Sequence, residues 1–301
     1  MVMPNFFIIG APKAGTSSAY NYLRQHPQVF MSPVKEPYFF QFIGETIEVK
    51  GPKDRDLPIY KMAVTDTNTY KSLFNGADKF KAVGEASPLY LYSSKACTNI
   101  YSTLPQAKLI VFLRNPVDRA YSSYLHMVRE GLETSEDFSQ ALAQEDWRIR
   151  ENWAWLFHYK RLSLYYPHVK RYKDVFGPDQ FRVYLYEDFE KNPLGVIQRI
   201  FDFLEVDPTF NPDVSLRHNV TGVPRSRWLH KFLREEHPIK SWIRPIFSED
   251  FIVRMLVTIR NLNLNKPELT EYSRNALLEM FRDDIRQLQT LINRDLSNWL
   301  V

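Results

Sequence analysis

Residues Phe6 to Ser18, reading Phe-Phe-Ile-Ile-Gly-Ala-Pro-Lys-Ala-Gly-Thr-Ser-Ser, constrain the fold more than any other part of the chain. A short apolar run sized for a buried strand enters a loop bracketed by Gly10 and Gly15, then leaves as the start of a helix. Strands followed by helices recur downstream. Asn5 to Gly10 reads as a strand and Ser17 to Gln25 as its helix, ended by His26-Pro27. Gly44 to Asp66, rich in Gly, Pro and charge, reads as a surface excursion. Ala82 to Glu85 fits a short strand. Lys108 to Arg114 is the clearest buried strand, with Pro116 at the favoured first position of a helix running towards Glu130. Helical patterns run from Asp137 to about Tyr172 and break at Gly177-Pro178. Phe181 to Tyr186 alternates as a strand and Asn192 to Leu204 as an amphipathic helix. Thr270 to Leu291 is one long helix. Strands separated by helices predict an α/β, P-loop-like three-layer fold with a central parallel sheet flanked by helices, plus a helical C-terminal region.

At 301 residues the chain is sized for one such domain, expected as an α/β core over 1–225 and a helical tail or lid over 226–301. A net charge of +4, from 39 Lys and Arg against 35 Asp and Glu, with no basic run, argues against a nucleic-acid partner. Cys97 is the only cysteine, so neither an intrachain disulfide nor a thiolate zinc cluster is possible. The N-terminal region has no signal-peptide pattern, and no apolar run approaches the roughly 18 residues of a membrane span. The expected compartment is the cytoplasm.

The Gly10–Gly15 layout aims backbone N–H groups and a helix N-terminus at one point, a site for phosphate-like anions. Its spacing is close to the Walker A pattern G-x-x-x-x-G-K-[ST], but Thr16 follows the second glycine where that pattern has lysine. The loop lysine is Lys13. A second candidate anion site is Leu113-Arg114-Asn115-Pro116-Val117-Asp118-Arg119-Ala120-Tyr121-Ser122. Arg114 closes a buried strand, at the end where open α/β sheets bind ligands. Ser122 lies about two turns into the next helix. A guanidinium and a hydroxyl meeting there suit a phosphate; the alternative is Arg114 paired with Asp118.

Together, Pro12-Lys13-Ala14-Gly15-Thr16-Ser17 and Arg114 with Ser122 resemble the sulfotransferases that use 3′-phosphoadenylyl sulfate (PAPS). Val34-Lys35-Glu36-Pro37-Tyr38-Phe39-Phe40 resembles the Lys-Glu-x-x-Phe-Phe segment of the heparan-type and bacterial branches. Gly84-Glu85-Ala86-Ser87-Pro88-Leu89-Tyr90 and Tyr186-Glu187-Asp188-Phe189 extend the likeness over residues 5 to 225. The resemblance implies a PAPS donor and a 3′,5′-bisphosphate product (PAP), with no metal. It assigns the 5′-phosphosulfate to Lys13, Ala14, Gly15, Thr16 and Ser17, and the 3′-phosphate to Arg114 and Ser122. It also implies a late loop, Asn219 to Ser226, closing over the 3′-phosphate through Gly222 and Arg225.

Sulfuryl transfer is an in-line displacement governed by positioning and electrostatics. Lys13 is expected to stabilise the leaving oxygen. By the same resemblance Glu36 is the first choice of general base, with Glu36 and Tyr38 near the acceptor. Its alternative is a surface carboxylate paired with Lys35. His126 is the rival base, one turn beyond Ser122; His158 and His218 are weaker. Ala86 and Tyr38 replace a Lys and a His of the heparan-type pattern. With the aromatic tail (Trp228, Phe232, Trp242, Phe247, Phe251), they favour a less anionic acceptor. Small-molecule, lipid or acyl, and carbohydrate hydroxyls are the candidate acceptors. A P-loop ATP-dependent kinase is the competing reading; the missing lysine after Gly15 and a strand ending in Arg114 rather than Asp tell against it. Ser87 lacks the following Gly of a hydrolase nucleophile elbow.

Overall fold

The computed structural model describes residues 2–53, 57–135, 137–216, 222–226, 255–256, 258–259, 262–265 and 267–301. Five parallel strands form the central sheet: β1 (Phe6–Gly10), β2 (Val29–Met31), β3 (Ala82–Ala86), β4 (Lys108–Leu113) and β5 (Phe181–Leu185), in the order β2-β3-β1-β4-β5. In β1 every residue is buried, and in β4 all but the first, as strands covered on both faces require. Register runs Phe6 to Gly84 on one side and Phe6 to Lys108 on the other.

Among the described residues, the helices with defined bounds are α1 (Thr16–Leu23), α2 (Pro58–Met62), α3 (Thr67–Ser72), α4 (Ser94–Thr103), α5 (Pro116–Arg129), α6 (Phe138–Ala143), α7 (Glu145–Arg150), α8 (Tyr165–Gln180, broken at Gly177), α9 (Tyr186–Lys191), α10 (Pro193–Phe203) and α11 (Glu271–Ile292). Helix α1 packs with α10, while α4 packs with α8, which α11 covers. Leu277, Leu278, Phe281, Ile285 and Leu288 of α11 are buried in the common core.

Some elements differ from the sequence expectations. Strand β2 is only three residues long and directly follows the turn after His26-Pro27, too short to show a period. The 44–66 segment is not a simple surface excursion. Val49, Leu57 and Ile59 are buried, and Lys50 pairs in parallel with Trp153. The 137–172 stretch is α6 and α7 followed by two short 3₁₀ turns before α8. The aromatic residues Trp228, Phe232, Trp242, Phe247 and Phe251 lie outside the described residues, as does His218.

From β1 the chain crosses to β2 and β3 on one side, and from β4 it crosses to β5 on the other. The carboxyl ends of the adjacent strands β1 and β4 therefore flank the switch point, where open α/β sheets leave a crevice. Lys13 follows β1 and Arg114 follows β4, which puts both at that crevice.

Candidate active site

The loop from Ala11 to Gly15 is anchored at its base by Ala11 N–H donating to the Phe112 carbonyl at 2.7 Å. Lys13 and Gly15 both adopt positive φ, 70° and 91°. Gly15 caps α1 with no side-chain cap and no acidic residue in the first turn, so the positive end of the helix is left for an outside anion. A Cβ on Gly15 would sit 3.1 Å from the Phe189 ring and 3.2 Å from the Tyr186 ring. The Tyr186-to-Phe189 segment, which opens α9, therefore packs closely against the loop and, with the positive φ, disfavours a side chain there. Lys13 is half-buried. Desolvation, then the charges of Arg129 and Arg114, lowers its ammonium to about 7, against the opposing pull of Glu36 and Glu130.

Arg114 donates from Nη1 to the Lys13 carbonyl at 3.2 Å and lies over the Tyr186 ring at 4.8 Å. Its own carbonyl accepts from Tyr165 Oη at 3.0 Å. The alternative pairing with Asp118 is not formed; Asp118 pairs with Arg274 at 2.8 Å. Asn115 caps α5 by accepting from the Val117 and Asp118 amides, and its own amide donates to Glu187 at 3.0 Å. Ser122 of α5 is buried.

Glu36 adopts positive φ, 67°, and its amide donates to the Ala86 carbonyl at 2.9 Å. Its carboxylate accepts hydrogen bonds from Lys35 Nζ and Tyr38 Oη. Burial pushes the carboxyl up, but Lys35, Tyr38 and Lys13 together hold it below the usual range. Burial and the Glu36 charge push the Tyr38 hydroxyl well above normal. The pairing with Lys35 and the proximity to Lys13 thus coexist. Tyr38, expected among the acceptor contacts, is buried and bonded to Glu36.

His126 accepts at Nδ1 from Arg129 Nη2 at 2.8 Å, since guanidinium only donates. Glu130 lies 3.9 Å from the same nitrogen. His158 is a buried core histidine with Nδ1 3.2 Å from Tyr92 Oη and Nε2 3.2 Å from the Trp153 carbonyl. Burial lowers it to about 4. Arg129 and Glu130, whose charges act on Lys13, were not singled out from sequence; they end α5, and nothing in their spacing points back to the loop. Ser87 is fully buried and donates to Glu85 at 3.0 Å, a place for a structural hydroxyl rather than a nucleophile.

Of the late loop, residues 222–226 are described and Asn219 to Thr221 lie outside the described residues. Val223–Pro224 (β6) pairs antiparallel with Leu264–Asn265 (β7), and β6 packs against α5. A Cβ on Gly222 would come within 2.8 Å of the Asn265 carbonyl oxygen. The Arg225 amide donates to the Asn263 carbonyl at 2.7 Å. These contacts place the segment beside the helix that carries Ser122.

The model of the sulfotransferase family matches residues 4–211. The chain belongs to the sulfotransferase family. This sulfotransferase is 26% identical over 250 residues to carbohydrate sulfotransferase 15 of Mus musculus, covering 68% of this chain and 44% of that protein. It is 29% identical over 203 residues to human heparan sulfate glucosamine 3-O-sulfotransferase 6, covering 67% and 52%. The chain thus spans about half the length of these curated relatives. A crystal structure of a sulfotransferase from Alicyclobacillus acidocaldarius superposes with TM-score 0.78 at 34% identity, over 99% of both chains. Mouse sulfotransferase SULT7A1, solved in complex with PAP, shares the fold at TM-score 0.51 and 15% identity, over 99% of this chain and 87% of that one. The kinase reading finds no support among these relatives. Among the described residues no helix is long and apolar enough to cross a membrane, and no group of His, Cys, Asp and Glu is arranged to hold a metal ion.

Proposed function

We propose that this chain transfers a sulfuryl group from PAPS to an acceptor hydroxyl, releasing PAP. The observation that carries this reading is the Arg114 bond to the Lys13 carbonyl at the β1/β4 crevice. It holds the loop that follows β1 against the arginine that follows β4, so two candidate anion-binding groups lie side by side at that crevice. The residues fit such a donor: an uncapped helix N-terminus, a glycine whose positive φ and close ring neighbours disfavour a side chain, and cations at Lys13 and Arg114. The amides and hydroxyls of Ala14 to Ser17 would hold the 5′-phosphate, and Arg114 with Ser122 the 3′-phosphate. Gly222 and Arg225 would close over the latter from the segment packed on α5.

The donor supplies the sulfuryl group. Lys13, held as its ammonium by the arriving negative charge with a proton taken up from solvent, would neutralise the phosphate oxygen that leaves. Glu36 would take the acceptor hydroxyl's proton, with Tyr38 orienting it. Glu36 is favoured over His126 by the hydrogen bonding: the imidazole lone pair is engaged by Arg129, which leaves a proton on the other nitrogen. The acceptor class follows the named relatives, a carbohydrate hydroxyl first. A small-molecule or lipid and acyl hydroxyl remains in range because Ala86 and Tyr38 stand where the heparan-type pattern carries cationic residues.

A radiolabelled-donor assay over a panel of carbohydrate, phenolic and acyl hydroxyl acceptors tests this. Labelled product should form with the wild-type chain, and Lys13→Ala and Glu36→Gln should each abolish most of it. Full turnover by Glu36→Gln would move the base elsewhere.

A further inference from the structure

Glu85, in β3, is fully buried and accepts three hydroxyl hydrogen bonds. Tyr90 Oη and Tyr70 Oη donate to Oε1 at 2.9 and 3.0 Å, and Ser87 Oγ donates to Oε2 at 3.0 Å. Each of these three side chains bears on the segment that carries Glu36. Ser87 Oγ accepts from the Tyr38 amide at 3.3 Å, and Tyr90 Oη accepts from the Phe40 amide at 3.1 Å. The Tyr70 ring stacks on Phe39, centroids 4.0 Å apart and planes 8° from parallel.

The 36–40 backbone needs such support. Glu36 and Tyr38 both hold positive φ, 67° and 53°, a region that is unfavourable for a non-glycine residue and persists only where the surroundings enforce it. A hydroxyl that accepts from an amide must send its proton elsewhere. For Ser87 and Tyr90 that acceptor is Glu85. An ionised carboxylate only accepts, so one buried group sets the direction of both relays. Burial alone raises this carboxyl, and the three hydroxyl bonds pull it back to about 7, leaving it ionised under mildly alkaline conditions.

We propose that Glu85 is a positioning residue for sulfuryl transfer: through Tyr70, Ser87 and Tyr90 it fixes the 36–40 backbone and with it the aim of the Glu36 carboxylate. This rests on Glu36 being the base. No role of this kind follows from the phosphate cradle, which Glu85 does not touch through any of these bonds.

The test compares Tyr90→Phe, Ser87→Ala and Glu85→Gln in the full chain. Each hydroxyl variant removes one relay and keeps the carboxylate; Glu85→Gln places a donor where only an acceptor fits. The expected result is a fall in kcat of about tenfold for each hydroxyl variant and about a hundredfold for Glu85→Gln, as for a misplaced catalytic group. PAP affinity should stay within about twofold, because the cradle is unaltered. The acid limb of the kcat pH profile should move upward, as Glu36 loses alignment with Lys35, Tyr38 and Lys13. Amide hydrogen exchange at Tyr38 and Phe40 should quicken. If Glu85→Gln does not fold, the two hydroxyl variants decide. Wild-type kcat, an unmoved acid limb and unchanged exchange in those variants would overturn the proposal, as would losses confined to PAP affinity. Should the wild-type chain transfer no sulfate, the function beneath the proposal fails, and the exchange rates at Tyr38 and Phe40 still decide whether the relay holds this segment.

Discussion

The Arg114 guanidinium donates to the Lys13 carbonyl at 3.2 Å while lying over the Tyr186 ring at 4.8 Å. One side chain thus links the carboxyl ends of two adjacent strands and the segment that seals the loop. The bond ties the backbone of the loop lysine to the strand-end arginine, so the loop and the end of β4 are positioned together.

Replacing Arg114 by Ala should weaken PAP binding by about 10- to 100-fold, the worth of a charge-assisted hydrogen bond of roughly 1.5–3 kcal/mol. Binding of adenosine 5′-monophosphate, which lacks the 3′-phosphate, should change far less. Calorimetry on both nucleotides measures the difference. Equal losses for the two would place Arg114 at the 5′ end or in the loop's structure alone.

Binding should take up a proton. Desolvation and the charges of Arg129 and Arg114 lower Lys13 to about 7, and a bound anion raises it again. Above pH 7 the free site is increasingly neutral, so PAP affinity should fall by up to about tenfold per pH unit until the bound-state value is reached. Calorimetry at pH 8 in two buffers of different ionisation enthalpy should report this uptake, and Lys13→Ala should remove it. The sign for stability is opposite: between about 7 and 10.5 the unfolded chain holds the extra proton, so this group makes unliganded stability rise with pH across that window.

Asp284, in the last long helix, accepts from the Tyr165 and Tyr166 amides at 2.8 and 3.0 Å and so caps the start of α8. Tyr165 in turn donates to the Arg114 carbonyl. Asp284→Ala should destabilise the fold by about 1–2 kcal/mol, the usual worth of a cap, measured by urea unfolding. PAP affinity should drop too, though less than in Arg114→Ala, because the guanidinium remains.

Much of the sheet was readable because its strands are apolar runs with sharp ends. Phe6 to Gly10 stops at a glycine loop, Lys108 to Leu113 stops before Asn115-Pro116, and the helix read over Asn192 to Leu204 is α10, with Asn192 as its cap. Thr270 likewise caps the final helix. What escaped was non-local. Asp284 reaches α8 across 119 positions. Arg129 and Glu130, at the end of α5, bear on Lys13 through space across more than a hundred positions, and the three-residue β2 carries no period. The charged, Gly- and Pro-rich 44–66 segment masked the buried Val49, Leu57 and Ile59. Glu36 was readable as a residue of interest, but the hydroxyl bonds behind it were not, since Tyr70, Ser87 and Tyr90 look like ordinary core residues in sequence.

The most direct measurement is thermal unfolding with adenosine 3′,5′-bisphosphate and, separately, with ATP–Mg²⁺. At about a hundred times its dissociation constant the bisphosphate should stabilise the chain by roughly 2.7 kcal/mol, and ATP–Mg²⁺ should give no comparable shift. Stabilisation by ATP–Mg²⁺ with none from the bisphosphate would contradict the account.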